Sequence, residues 1–286
     1  MRKPSCKPNV SFFFDSDTQL APVATNANDG PVNRFTGRVH RQWNIGENPN
    51  GGYLVALAMR AFAELAPQHP DPITITAHYL RPGVADADCV VHAETVRTGR
   101  TQSTLRARLE QAGKARLEVL ATLGDLSGDT NTSAAAAETR LTIPPPAMPK
   151  LEDCPMRSAA EQGVDLPLLD RLEIRLHPEQ ALGGAAGAAV VSGYIGFADQ
   201  RPPDTHAAVL FADAFPPSVF GLLGVIGWVP TVELTVHVRR RPAPGWLVGR
   251  FATSDLAAGR MIEDGCLWDE QGHLIVQSRQ IALVRQ

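Results

Sequence analysis

Apolar and polar positions follow regular patterns in two zones of the chain, separated by a segment with little periodicity. In the first zone, residues 53–65 form an almost continuous apolar run, preceded by Asn-Pro-Asn-Gly-Gly at 48–52. Asn50 is suited to cap a helix that begins here, because an Asn side chain can accept a hydrogen bond from a free backbone N–H group. A helix that is apolar around most of its circumference is expected to be buried on nearly all sides.

Strand patterns surround this predicted helix, and the second zone repeats the order. Strands are predicted in the first zone at 35–43, 73–80, 90–98, 102–110 and 116–123, with a hairpin turn at 111–114. In the second zone, a helix is predicted near 205–214 and strands at 188–198, 231–239, 246–254, 261–268 and 273–284. We therefore predict unit one at 1–125, a linker at 126–165 and unit two at 166–286.

The predicted linker contains Asp-Thr-Asn-Thr-Ser, a run of alanines and three successive prolines. Such a composition is typical of a connecting segment, within which residues 134–142 could hold a short helix or strand.

The two units share residues as well as pattern. Thr76 and Thr235 are each followed two positions later by a histidine and then by an Arg-Pro pair. Glycine-arginine pairs follow after similar intervals, at 99–100 and 259–260, and each unit closes on an apolar strand. The match extends over about 50 residues, which indicates an internal duplication, and its period is too long for a solenoid.

A long buried helix wrapped by an antiparallel sheet, present twice in tandem, is the arrangement of a double hotdog. We therefore predict an α+β fold made of two hotdog units whose sheets join side by side. The shared spacing predicts that residues 76–123 superpose on residues 235–282.

Composition restricts the function. The chain has 286 residues, 44% of them hydrophobic, and a formal charge of −3, which gives no reason to expect nucleic acid as a partner. The longest apolar stretch, near 207–229, is interrupted by Asp213 and a Pro-Pro pair, so no membrane span is predicted. The four cysteines have no metal or redox spacing and are expected to be reduced thiols in the cytoplasm. They are Cys6, Cys89, Cys154 and Cys266.

Several enzyme classes lack their motifs in this sequence. It contains no G-x-S-x-G nucleophile elbow, no P-loop, no G-x-G-x-x-G and no H-E-x-x-H, and its eight histidines have no ligand spacing. We therefore expect neither a metal nor a bound cofactor.

The duplication provides an internal comparison for candidate catalytic residues. A shift of 159 positions aligns Gln280 with Ala121 and Thr231 with Pro72, and only the second helix region carries an acid, Asp213. These three polar residues are therefore confined to unit two, which predicts one active site per chain. Each of the three could equally have a purely structural role: Asp213 as a helix cap or ion-pair partner, Gln280 as a buried amide bonded to backbone, and Thr231 as a strand start.

The segments NPNGGYLVALAMRA and GRMIEDGCLWDEQGHLIVQSRQIAL resemble the double-hotdog proteins related to type II acyl-CoA thioesterases. The resemblance covers about residues 10–125 and 170–286. It implies hydrolysis of an acyl-CoA thioester without a metal or a covalent intermediate. It also implies that Asp213, Thr231 and Gln280 hold and activate the attacking water, with Asp213 as general base. Burial beside the phenylalanines is expected to raise the pKa of Asp213.

The start of the first helix is the predicted substrate contact, formed by Gly51, Gly52 and Tyr53. Two glycines at a helix N-terminus could present bare N–H groups to a thioester oxygen or a phosphate, although they could also serve only as a tight entry to a buried helix. The basic residues at 239–241 could contact the phosphates of coenzyme A or simply be solvated.

Two other functions compete with the thioesterase hypothesis. A non-catalytic acyl-CoA-binding module would use the same fold, and a hotdog enoyl-CoA hydratase would need an Asp and a His placed together. The leading interpretation also predicts a cytoplasmic role in fatty acid metabolism and a homo-oligomer, either a dimer or a tetramer of double hotdogs.

Overall fold

A computed structural model describes residues 11–24, 32–127, 139, 141–225 and 227–284. Cys6 and most of the segment 134–142 lie outside the described residues. The other three cysteines, Cys89, Cys154 and Cys266, are free thiols. Within the described ranges, no helix is long and apolar enough to cross a membrane.

Both units contain the predicted order of a strand, a core helix and four strands, but the predicted strand at 35–43 ends at Val39 and a strand at Leu172–Leu176 was not predicted. The helices are α1 (Phe13–Asp17), α2 (Gly51–Leu65), α3 (Ala159–Gln162), α4 (Thr205–Phe211) and α5 (Phe220–Leu223). The strands are β1 (Ala21–Pro22), β2 (Asn33–Val39), β3 (Asn44–Ile45), β4 (Asn48–Pro49), β5 (Asp71–Tyr79), β6 (Ala87–Thr98), β7 (Ser103–Gln111), β8 (Lys114–Gly124), β9 (Leu172–Leu176), β10 (Val190–Phe197), β11 (Thr231–Val238), β12 (Leu247–Ala257), β13 (Arg260–Trp268) and β14 (Leu274–Leu283). Short 3-10 turns lie at Arg41–Trp43, Leu151–Asp153, Pro167–Asp170 and Pro178–Gln180.

Twelve of these strands form one antiparallel sheet in the order β1-β2-β6-β7-β8-β5-β11-β14-β13-β12-β10-β9. The first half of this order belongs to unit one and the second half to unit two. The halves join through the pairing of β5 with β11, in which Thr76 lies opposite Thr235. The two units therefore lie side by side in one continuous sheet.

The helix α2 lies in the core of unit one and packs on α4 of unit two. Its cap is Asn50, whose side chain accepts a hydrogen bond from the Tyr53 N–H at 2.9 Å. Ten of its fifteen residues are buried, as expected for an apolar helix surrounded by a sheet and a second helix.

The second core helix is shorter than the sequence pattern suggests. The α4 helix is capped by Asp204, which accepts from the Ala207 N–H at 2.7 Å, and it ends at Phe211 rather than near residue 214. After Phe211 the chain tightens, and the Asp213 N–H bonds to the Leu210 carbonyl instead of the carbonyl four residues back. The two following prolines cannot donate helical hydrogen bonds, so the helix does not resume.

Part of the predicted linker packs against unit two. Met156 forms a β-bridge with Arg175 of β9, and the Trp268 and Tyr194 side chains donate to the carbonyls of Ile143 and Pro149. The linker takes part in these contacts through its backbone, and backbone contacts do not produce a periodic pattern of apolar residues that the sequence could reveal. Residues 128–138 and Arg140 of the linker lie outside the described residues.

Candidate active site

A cavity of about 600 Å³ lies between the start of α2 and the sheet of unit two. Most of its apolar wall comes from side chains of unit two, together with Leu54 of α2. Its principal polar lining residues are Asn50, Gly51, Tyr79, Asp213, Thr231, Glu263 and Gln280. The apolar side chains Leu54, Phe215, Phe220, Trp228, Phe251 and Met261 complete much of the remaining surface.

Asp213 is held by the N-terminus of the unit-one helix. Its Oδ2 accepts hydrogen bonds from the Gly52 N–H at 2.8 Å and from the Asn50 amide at 3.2 Å. The same Asn50 amide donates to the Asp213 carbonyl at 2.7 Å. Asn50 therefore caps α2 with its oxygen and fixes the turn after α4 with its nitrogen, which couples the two units at this point.

Burial dominates the electrostatics of Asp213 and raises its pKa to about 7. The nearby Glu263 carboxylate also raises this pKa, whereas hydrogen bonds from Gly51, Gly52 and Asn50 act in the opposite direction. A carboxyl group with a pKa near neutrality exists in both protonation states at physiological pH, as a general base requires.

Thr231 and Gln280 contact each other in the same cavity. The Thr231 hydroxyl donates to Gln280 Oε1 at 2.7 Å. Simple alternation along β11 would place Thr231 on the face opposite Leu234, but an irregularity in the β11–β14 pairing adds one residue between Thr231 and Glu233. Ala282 and Gln280 lie two positions apart on β14 and therefore share a face of the sheet. Because Thr231 lies opposite Ala282, the bulge brings Thr231 to the face that carries Gln280.

Glu263 is a polar member of this cavity that was not predicted from the sequence. Its Oε1 accepts from the Gln280 amide at 2.5 Å, and its Oε2 accepts from the Ser218 N–H at 2.7 Å. In unit one, Ala121 lies opposite Leu105, whereas in unit two Gln280 lies opposite Glu263. The repeat shift of 159 aligns Glu263 with Thr104 rather than with Leu105, so the internal sequence comparison does not identify this acid, and only the strand pairing reveals its apolar counterpart.

Tyr79, at the end of β5, is a second cavity residue that was not predicted. Its hydroxyl is buried and has no hydrogen-bond partner among the described residues. Burial and the charges of Asp213 and Glu233 keep the pKa of this phenol well above its usual value, so it stays a hydrogen-bond donor. A methyl group on Gly51 would lie 2.8 Å from the Tyr79 ring and 2.8 Å from Asp213 Oδ2, so both side chains press against this glycine.

The predicted substrate contacts at the start of α2 need correction. Gly51 lines the cavity, but the Gly52 N–H is already bound by Asp213 and so is not a bare donor. Tyr53 faces away from the cavity: its ring stacks on Trp43, and its hydroxyl donates to the Asp17 carbonyl at 2.8 Å. Tyr53 is therefore excluded from the proposed substrate contacts, because its side chain belongs to the core of unit one.

Of the basic residues at 239–241, Arg241 has a structural partner. Its guanidinium binds the buried carboxylate of Asp71 in unit one, with Nη2 2.7 Å from Oδ2. Among the described residues, no cluster of three or more His, Cys, Asp or Glu side chains is placed to hold a metal ion.

Comparison with known proteins assigns the family. A model of the acyl-CoA thioesterase N-terminal domain matches residues 39–124, and a model of the C-terminal domain matches residues 151–284. The chain belongs to the acyl-CoA thioesterase family. An uncharacterized protein of Mycobacterium tuberculosis is 26% identical over 298 aligned positions, which cover 96% of this chain and 99% of that relative.

Solved structures agree with this family assignment and confirm the predicted tandem hotdog fold. A protein described as a thioesterase II from Thermobifida fusca is similar with a TM-score of 0.80 and 27% identity, covering 96% of this chain and 98% of its own. A hotdog-fold protein of unknown function from Alicyclobacillus acidocaldarius has a TM-score of 0.78 and 23% identity, covering 97% and 99% respectively. The second likeness bears on the fold alone.

Proposed function

We propose that this protein hydrolyses an acyl-CoA to a free carboxylic acid and coenzyme A, using water activated by Asp213. The observation that carries the proposal is the shared cavity: it combines a buried carboxyl group with a pKa of about 7 and a hydrogen-bonded Thr231–Gln280 pair. Membership of the acyl-CoA thioesterase family supports this substrate class. The apolar wall offers the acyl chain an environment away from water.

In the proposed reaction, water attacks the thioester carbonyl carbon while Asp213 takes its proton. The acceptor is Oδ1, the oxygen that neither Gly52 nor Asn50 contacts. Thr231 uses its hydrogen to bind Gln280, so its lone pairs accept a hydrogen bond from the water. The tetrahedral intermediate then expels the coenzyme A thiolate, and the proton held by Asp213 passes to the sulfur.

The test is Asp213→Asn, assayed by release of free thiol from a panel of acyl-CoAs. The change keeps the shape of the side chain and removes the proton acceptor, so kcat is expected to fall by about 10²–10⁴-fold. The control is Asp264→Asn, because Asp264 is half exposed and binds Arg279 rather than the cavity residues. It should keep wild-type activity.

A folded Asp213→Asn protein with wild-type turnover would overturn the mechanism. Wild-type protein that binds acyl-CoA without releasing thiol would favour the non-catalytic binding module, and hydration of an enoyl-CoA without thiol release would favour a hydratase. We also propose a cytoplasmic place in fatty acid metabolism and a homo-oligomeric state. Light scattering on the purified protein would test the oligomeric state.

A further inference from the structure

A chain of hydrogen bonds runs from the cavity into unit two. It leads from the Thr231 hydroxyl to Gln280 Oε1, and from Gln280 Nε2 to Glu263 Oε1. The other Glu263 oxygen accepts from the Ser218 N–H, which is a backbone donor and cannot reverse. Each bond in this chain therefore has a defined direction.

The direction depends on Glu263. A side-chain amide has a donor end and an acceptor end, and rotating it by half a turn exchanges them. A carboxylate can only accept, so Glu263 selects the orientation in which the Gln280 nitrogen faces it and the Gln280 oxygen faces Thr231. Thr231 must then donate its single hydrogen to Gln280, which leaves its oxygen as an acceptor for a molecule in the cavity.

The hotdog fold does not itself require an acid at this position. Unit one builds the equivalent place from Leu105 opposite Ala121, and both are fully buried. A carboxyl group at 3% exposure costs solvation free energy that a leucine would not. Burial raises the pKa of Glu263, and the hydrogen bonds from Ser218 and Gln280 oppose this change by stabilising the carboxylate.

We propose that Glu263 is a positioning residue, which holds the Gln280 amide in the orientation that makes the Thr231 oxygen an acceptor for the attacking water. This inference rests on the proposed function of the cavity. Glu263 lines the cavity but acts through Gln280 and Thr231, so its role needs no contact with the substrate.

The principal test is Glu263→Leu, which installs the unit-one residue. Removal of the acceptor should free the Gln280 amide to rotate, so a neutron crystal structure of the variant, which distinguishes the amide oxygen from the amide nitrogen, should show the 2.7 Å contact between Thr231 Oγ1 and Gln280 Oε1 lost or replaced by one to Nε2. In acyl-CoA hydrolysis, kcat should fall about tenfold or more, as a general consequence of misplacing a reacting group, while KM stays within about threefold. The Asp264→Asn protein is the control on the same strand.

The pH profile reports on the charge of Glu263, whereas the split between kcat and KM is the readout that a purely structural role would not move. Among the described residues, the groups that line the cavity with Asp213 and carry or can gain charge are Glu47, Tyr79, Arg81, Arg157 and Glu263. Because the Glu263 charge raises the pKa of Asp213, its removal should shift the acid limb of the pH–rate profile to lower pH. An unchanged limb and an unchanged kcat would overturn the proposal, as would a Gln280 oxygen that still faces Thr231 in the neutron structure of Glu263→Leu.

If Glu263→Leu does not fold, Glu263→Asp gives the same structural and kcat tests, because the shorter side chain withdraws its oxygens from Gln280. It keeps a carboxylate, so no shift of the acid limb is expected from it. The crystal readout does not depend on turnover. Wild-type protein without thioesterase activity, combined with a displaced Gln280 in the variant, would refute the proposed function and leave the hydrogen-bond assignment standing. Loss of activity in Asp213→Asn, combined with an undisturbed Gln280 in Glu263→Leu, would refute the positioning role alone.

Discussion

Thr76 and Thr235 occupy the same place in the two units and meet each other at the junction of β5 and β11, with their hydroxyl oxygens 3.2 Å apart. The neighbouring pairs are reciprocal: His78 lies opposite Glu233, and His237 lies opposite Thr74. Each threonine therefore pairs with the residue at the equivalent position of the other unit, and a local two-fold axis passes between them. The backbone follows this symmetry, whereas the cavity chemistry does not.

The junction is also secured by an ion pair, which predicts a stability effect. The Asp71 side chain is 5% exposed and binds Arg241 across the units. Arg241→Leu would leave this carboxylate buried without its cation. Such losses typically cost 3–5 kcal/mol, and because Arg241 is itself 40% exposed we expect the free energy of unfolding to fall by about 2 kcal/mol in urea titrations.

Asp71→Asn combined with Arg241→Leu is the matched control, because it removes both charges. The double variant should recover part of the lost stability. A single variant as stable as the wild type would mean that the ion pair contributes nothing at the junction.

The sequence predicted the fold because the duplication and the apolar run of α2 are visible without knowledge of contacts. It could not select the correct face of α2: the helix is apolar around most of its surface, so nothing in the pattern distinguishes Gly51, which lines the cavity, from Tyr53, which packs on Trp43. The bulge that redirects Thr231 depends on pairing with β14 and is equally invisible in a single strand.

The pH dependence of hydrolysis follows from the pKa of Asp213, which burial raises to about 7. The base is active only as a carboxylate, so kcat/KM should increase about tenfold per pH unit below this pKa and level off above it. A pH–rate profile on a substrate stable from about pH 5 to 9 would measure the midpoint. A profile that is flat from about pH 5 to 8 would exclude Asp213 as the titrating base.

Tyr79 is predicted to serve ligand binding rather than folding. Its buried hydroxyl lacks a partner among the described residues, and unsatisfied buried groups cost stability unless a ligand uses them. Tyr79→Phe should therefore not lower the melting temperature, whereas kcat/KM for acyl-CoA should fall by about tenfold, the effect of losing one hydrogen bond to a bound ligand.

Tyr194→Phe is the matched control for this change. The Tyr194 hydroxyl donates to the Pro149 carbonyl at 2.8 Å, and Tyr194 does not line the cavity. This variant should lose stability and keep its activity. Wild-type kcat/KM in Tyr79→Phe would contradict a role for the phenol in substrate binding.

The adjacent glycines at the start of α2 should respond differently to the same added methyl group. In Gly51→Ala, the new Cβ would approach the Asp213 carboxylate and the Tyr79 ring at 2.8 Å. Both are side-chain groups that can shift, so the protein should fold, but the displaced base should lower kcat by about 10²-fold. In Gly52→Ala, the Cβ would lie 2.9 Å from the Leu210 carbonyl oxygen, which is backbone of α4.

Because α4 is fixed in the core, this second clash cannot be relieved by one side chain, and overpacking of this kind costs about 1–3 kcal/mol. Gly52→Ala should therefore lower the melting temperature more than Gly51→Ala, whereas Gly51→Ala should lose activity at nearly unchanged stability. Thermal unfolding and thiol-release kinetics on both variants separate the effects. Full activity in Gly51→Ala would contradict the close approach of Gly51, Asp213 and Tyr79 on which the proposed position of the base depends.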